Sequence, residues 1–160
     1  MKEIRNKIDK GLEVFLSFLM GFMILNVLWQ VFSRYVLGEP SSFTDELARY
    51  LLIWIGLLGS AYASGKGLHL AMSLFHDKLK DKSKIRLEIV LESLIILFSF
   101  GFLIVGGIRL VYLTFLLGQI SAALELPLGY VYLIIPVSGF FFIFYSIDNI
   151  LNKVSARNDA

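Results

Sequence analysis

Four stretches of this chain are almost free of charge, and their lengths constrain the fold more than any other feature. No charged residue falls between Val14 and Ser33, between Tyr50 and Gly65, or between Leu128 and Ile147. Between Ser93 and Leu124 the only charge is Arg109. A helix rises 1.5 Å per residue, so about 20 apolar residues cross a hydrocarbon core about 30 Å thick. The chain is 57% hydrophobic, against about 45–50% in soluble domains, and the excess lies in these runs. The expected fold is an all-α membrane protein, residues 1–160 forming one transmembrane helical domain. Its spans are placed at about 14–36, 43–65, 85–115 and 127–150, in one compact bundle with lipid around it.

The connections are read from turn chemistry and charge. The first run is too long for a signal-peptide core and lacks a small-residue cleavage site, so it is read as a retained span. Before it, Ile4, Ile8 and Leu12 recur every fourth position, as in an interfacial helix leading into the membrane. Gly38-Glu39-Pro40 makes a turn, since proline disfavours helical geometry at the residue before it. Ser42 with Asp45 three residues on has the form of a capping box, which starts the second helix near Phe43. That helix needs the turn holding Asp45, Glu46 and Arg49 to be long enough to cross. Gly56, Gly59, Ser60 and Ala63 give it a stripe of small residues, as where helix backbones approach closely in lipid. The stripe serves either packing within the bundle or a face for another subunit.

From Lys66 to Arg86 the chain is basic. Leu68, Met72, Phe75 and Leu79 share one helical face there, opposite His69, Ser73, His76 and Lys80, which suggests an amphipathic helix on the membrane surface. A long third helix runs from about Ser83 to Leu117, with Gly101, Gly106 and Gly107 as close-packing candidates. Glu125-Leu126-Pro127 restarts the chain, and Pro136 should kink the fourth span. Tyr130, Tyr132 and Tyr145 mark its two ends as an aromatic belt does. Of the fifteen lysines and arginines, twelve lie in the N-terminal segment, the middle connection and the C-terminal tail. The positive-inside rule therefore places both termini and the middle connection in the cytoplasm.

Chemistry is sparse. Cysteine is absent and the net charge is only +2, so thiolate metal sites and nucleic-acid binding are not expected. The midplane polar groups are Asn26, Ser99 and Ser138, which suit helix–helix hydrogen bonds rather than a transport path. No catalytic, cofactor-binding or metal-ligating set stands out. His69 and His76 lie outside the spans, where haem ligation in a helical bundle would not place them. Arg34, Asp45, Glu46, Arg49, Arg109 and Glu125 converge on one membrane level. Snorkelling with mutual neutralisation explains such a cluster, and so does the docking of a partner. Asp45 and Arg49 are four residues apart on one helix, so pairing between them is nearly automatic.

Several segments in order resemble the small membrane (Q, DctQ-like) subunit of tripartite ATP-independent periplasmic (TRAP) transporters. They are Gln30-Val31-Phe32-Ser33-Arg34-Tyr35, Asp45-Glu46, Leu52-Ile53-Trp54, Gly59-Ser60-Ala61-Tyr62-Ala63 and Lys66-Gly67-Leu68-His69-Leu70. Phe43, Lys66 and Ser73 depart from the residues common at those positions. The resemblance implies a supporting role beside a large (M) membrane subunit that carries the substrate and sodium sites. It also implies a periplasmic substrate-binding protein that delivers an organic acid: a sialic acid, a C4-dicarboxylate-like compound or another organic acid, with sialic acid favoured on overall likeness. Two other classes remain at this stage. One is an independent small multidrug-type exporter using a carboxylate such as Glu13; the other is a membrane anchor subunit of a redox complex.

Overall fold

The computed structural model describes residues 2–39, 41–66 and 81–158. Four helices in these residues are long and apolar enough to cross a membrane: Glu3–Leu37, Ser42–Gly65, Arg86–Leu116 and Leu128–Lys153. The first span is α1 (Lys2–Phe32), which widens into a π-helical turn over Ser33–Leu37 and ends at Gly38. Gly38 has φ +76°, a left-handed conformation that glycine adopts without a side-chain penalty. The second span is α2 (Ser42–Gly65), capped by Ser41, whose hydroxyl accepts from the Thr44 N–H. The cap lies one residue earlier than the Ser42–Asp45 pattern implies, and Asp45 is left free to face α1. The third span is α3 (Asp81–Phe98), a π-helical segment Ser99–Gly106, and α4 (Gly107–Leu116). The fourth is α5 (Leu128–Tyr132) followed by α6 (Ile134–Asn158). The break falls at Leu133, three residues before Pro136, which has no N–H to give that turn. The expected surface helix around Leu68–Leu79, with His69 and His76, lies outside the described residues, as does Pro40.

Side-chain spacing explains how these spans meet. Along the first span, Leu12, Leu19, Asn26 and Ser33 are buried at intervals of seven. On α2, Thr44, Leu51 and Leu58 repeat the same interval. A seven-residue repeat keeps one seam facing one neighbour along its full length. The two seams pack on each other, joined by Asn26 Nδ2 donating to the Thr44 carbonyl at 2.8 Å. The other side of α2 packs on α6, where Gly65 leaves room for Tyr145. A Cβ at that glycine would lie 2.5 Å from the Tyr145 ring. Past α6 lie α3 and α4, with Gly107 against Ile135 and Pro136 and Gly139 against Leu103 and Ile104.

The described spans therefore form an open row in the order first, second, fourth, third, rather than a closed bundle. Outside the polar bonds at the termini, the first span leans mainly on the second and the third on the fourth. Much of their apolar surface is exposed, including Phe18, Leu25, Leu97 and Phe102. Such a surface suits lipid or another membrane protein.

Candidate functional site

Two polar layers bound the row. From Glu46 to Gly65, α2 rises about 28 Å, close to the thickness of a hydrocarbon core. The layer at Glu46 closes the end away from the termini. The chain between α4 and α5 folds there as a tight turn. Ser121 N–H donates to the Leu126 carbonyl at 2.9 Å, and Leu128 N–H to the Gln119 carbonyl at 3.0 Å. Gly118 and Glu125 take positive φ of 60° and 53° to close it. The turn leaves several N–H groups directed at α2, and the Glu46 carboxylate takes them. It accepts from the backbone N–H groups of Ala122 at 3.2 Å, Ala123 at 2.7 Å and Leu124 at 2.9 Å. The hydroxyls of Ser121 and Tyr50 also donate to it, at 3.0 and 2.7 Å. A carboxylate accepting from backbone amides forms strong charge-assisted bonds without any cation.

The other members of the expected charge cluster are placed differently. Asp45 pairs with Arg49 on the exposed surface of α2 and accepts from Gln30 Nε2 at 3.2 Å. Arg34, Arg109 and Glu125 are exposed and make no ion pair among the described residues. Arg109 lies about two turns before the end of α4, within reach of the interface for a snorkelling side chain. One level thus holds a pinned loop, one exposed ion pair and three isolated charges. They do not form a six-membered network.

The second layer, at the termini, is richer. Arg5 pairs with Asp148 and donates to the Gly65 carbonyl. Asp9 accepts from the Tyr145 hydroxyl at 2.6 Å and pairs with Lys66 at 3.2 Å. The hydrogen bond to Asp9 holds the Lys66 ammonium above the ordinary lysine pKa. Its contribution to stability is therefore fully present below that ordinary value and is lost only at more alkaline pH. Glu92, which is buried, accepts from Asn149 Nδ2 at 3.0 Å. Lys153 sits 3.8 Å from Glu92 and 3.1 Å from Glu88. These bonds tie α1, α2, α3 and α6 together at one level. Sequence reasoning missed this layer, although α1 carries a signal for it. Arg5 stands seven residues before Leu12 and Asp9 three before it, so both fall on or beside the buried seam, whereas Lys7 and Lys10 do not.

Between the layers the interior is apolar. Among the described residues, the buried charged side chains are Glu92 and Asp148, both at the termini end. Of the three midplane polar groups, Asn26 bridges two spans, Ser138 bonds its own helix at the Ile135 carbonyl, and Ser99 Oγ has no partner. A cavity of about 400 Å³ opens between α1, α2 and α6, lined by apolar residues including Leu12, Trp54, Leu58 and Phe141. The small-residue stripe of α2 looks away from this cavity. Gly56 and Ser60 lie about 160–200° around the helix from Leu58. A Cβ at Gly56 or Gly59 would meet nothing within 4 Å. These glycines do not pack the row; Gly65 and Gly107 do.

Among the described residues, an all-α row of four spans with no buried charge between its two polar layers has the form of a membrane subunit that lacks a polar path of its own. The family model for tripartite ATP-independent periplasmic transporters, DctQ component, matches residues 23–156, and the chain belongs to that family. It is similar to the sialic acid TRAP transporter small permease protein SiaQ of Vibrio cholerae. The two are 30% identical over 152 residues, covering 95% of this chain and 86% of that protein. It is also similar to the ectoine TRAP transporter small permease protein TeaB of Halomonas elongata. That identity is 31% over 135 residues, covering 82% of this chain and 69% of that protein. The chain is thus a small permease subunit of a TRAP transporter, a multi-pass membrane protein and not an enzyme.

Proposed function

We propose that this chain is a non-transporting scaffold subunit of a sodium-coupled, binding-protein-dependent organic-acid importer in a bacterial inner membrane. The observation that carries this reading is the interior free of charge between the two polar layers. An organic anion entering it would lose its water and meet no replacement, at a cost of several kcal/mol per ion. The substrate and sodium sites then belong to a large membrane subunit, and a periplasmic binding protein delivers the substrate. Relatives are named for sialic acid and for ectoine. For this chain we favour an organic acid of the sialic acid type. The lysine and arginine distribution supports cytoplasmic termini. Cysteines replacing Ser41 and Ala122 should then react from the periplasmic side, and one replacing Ser83 only after permeabilisation. The reverse pattern sinks the orientation.

The open face of α2 is the proposed contact with the large subunit. It presents the Asp45–Arg49 pair at one end and Gly56, Gly59, Ser60 and Ala63 along its length. Small residues there let a neighbouring backbone approach closely. Co-purification tests this. Gly56→Leu or Ser60→Leu should release the large subunit and leave the melting of the isolated chain unchanged. Gly107→Leu, whose side chain must displace Ile135 and Pro136, should lower that melting directly. Wild-type complex yield with both α2 variants removes this face as the contact. Failure of the wild-type chain to retain any large membrane subunit removes the scaffold role.

A further inference from the structure

The cavity between α1, α2 and α6 lies apart from the α2 face proposed above for the large subunit. It exists because the first span packs on α2 and meets α6 mainly at the polar layer, through Arg5 and Asp9. Gly11 adds no side chain to fill the gap, and a Cβ there would meet nothing within 4 Å. The cavity begins at Ile8, Gly11 and Leu12, just inside the layer at the termini. It continues along α6 from Phe141 to Leu133, about 12 Å into the membrane by helical rise. Trp54 forms part of its wall, with its indole N–H already given to the Val131 carbonyl at 3.1 Å. No polar group therefore faces a ligand inside.

The surface of α1 beside the cavity differs from its interior. A second, shallower depression shares Gly11 and Phe15 with the cavity and is lined by Lys7 and Lys10. Both lysines are exposed and flank Asp9 in sequence, so they lie at the polar layer. Among the described residues neither lysine meets a carboxylate, although Glu3 lies one turn before Lys7. An apolar slot running inward from two unpaired ammonium groups at headgroup level matches one class of ligand. We propose that this is a binding site for an anionic phospholipid of the leaflet at the termini, one acyl chain filling the slot and the phosphate lying against Lys7 and Lys10. Clustered basic residues at that level draw anionic headgroups. A volume of about 400 Å³ lies at the small end of the usual 300–1,000 Å³ range for ligand sites. It holds a chain but not a helix about 10 Å across.

Trp54 serves as the probe. In the full chain carrying Trp29→Phe, reconstituted in phosphatidylcholine vesicles, tryptophan emission reports the slot alone. Phosphatidylglycerol brominated on its acyl chain should quench it at up to about 25-fold lower mole fraction than brominated phosphatidylcholine, about fivefold for each of the two lysines. Lys7→Gln with Lys10→Gln should bring the two lipids to parity without abolishing quenching. Gly11→Leu, which has room to fold normally, should weaken quenching by both. Equal quenching by the two lipids in the unsubstituted site, unmoved by the lysine changes, marks ordinary annular lipid and overturns the proposal. Repeating the measurement with the large subunit present separates the remaining occupant. Persistence of the phosphatidylglycerol preference supports the lipid site, and loss of all quenching assigns the slot to protein.

Discussion

The two ends of the row solve one problem with different chemistry. Each must close helix ends and a connection where hydrocarbon meets water. At the end away from the termini a single acid does this. Glu46 gathers three backbone N–H groups and two hydroxyls, and no cation takes part. At the termini the work is spread over Arg5, Asp9, Lys66, Glu92, Tyr145, Asp148, Asn149 and Lys153, most of them joining different spans. The first arrangement positions a loop on one helix; the second joins helices to one another. A loop held by one residue is lost with that residue, whereas a distributed network loses one link at a time.

The largest expected effect follows from that difference. Glu46→Ala leaves the amides of Ala122, Ala123 and Leu124 without their acceptor, and the turn between α4 and α5 should detach. The melting temperature should fall further than for any single change at the other end, and amide exchange at those three residues should lose its protection. Glu46→Gln, which keeps one acceptor oxygen, should fall between. A Glu46→Ala protein with protected amides would show that the loop stands without its pin. Next is Arg5→Gln, which leaves Asp148 buried without its cation. The cost should be about 1–3 kcal/mol, below the 3–5 kcal/mol of a fully buried pair because Arg5 is partly exposed. Adding Asp148→Asn should recover part of the loss, and additive losses in a denaturation cycle would show that the two do not act as a pair. The smallest effect is expected from Arg49→Ala. The Asp45–Arg49 pair is exposed within one helix, so the isolated chain should lose no more than about 0.5 kcal/mol. A larger loss would mean that this pair belongs to the structural layer.

Much of the fold is visible in residue order. Each nearly uncharged run overlaps one of the four described helices long and apolar enough to cross a membrane, and the turn at Gly38 and the restart near Pro127 mark two connections. The order of the spans is not visible, since exposed and buried faces are equally apolar in lipid and the pattern of polarity that marks a core in water is missing. The glycines show this directly. Gly56 and Gly107 look alike in sequence, yet one is open to the surroundings and the other presses on Ile135 and Pro136. The role of Glu46 is hidden for another reason. Its principal partners are backbone amides of Ala122, Ala123 and Leu124, which no side-chain pattern reveals. Arg5 and Asp9 left a signal that was missed: Arg5 continues the buried seven-residue spacing into the charged start of α1, and Asp9 stands three residues before Leu12 beside that seam.

The most direct test of a scaffold with no path of its own is sodium-driven uptake in proteoliposomes of defined content. Vesicles containing this chain alone should accumulate no organic acid under any sodium gradient. Vesicles with this chain, its large subunit and the binding protein should accumulate substrate, and omission of this chain should abolish or strongly reduce that uptake. Sodium-dependent accumulation by vesicles that contain only this chain would contradict the scaffold role outright.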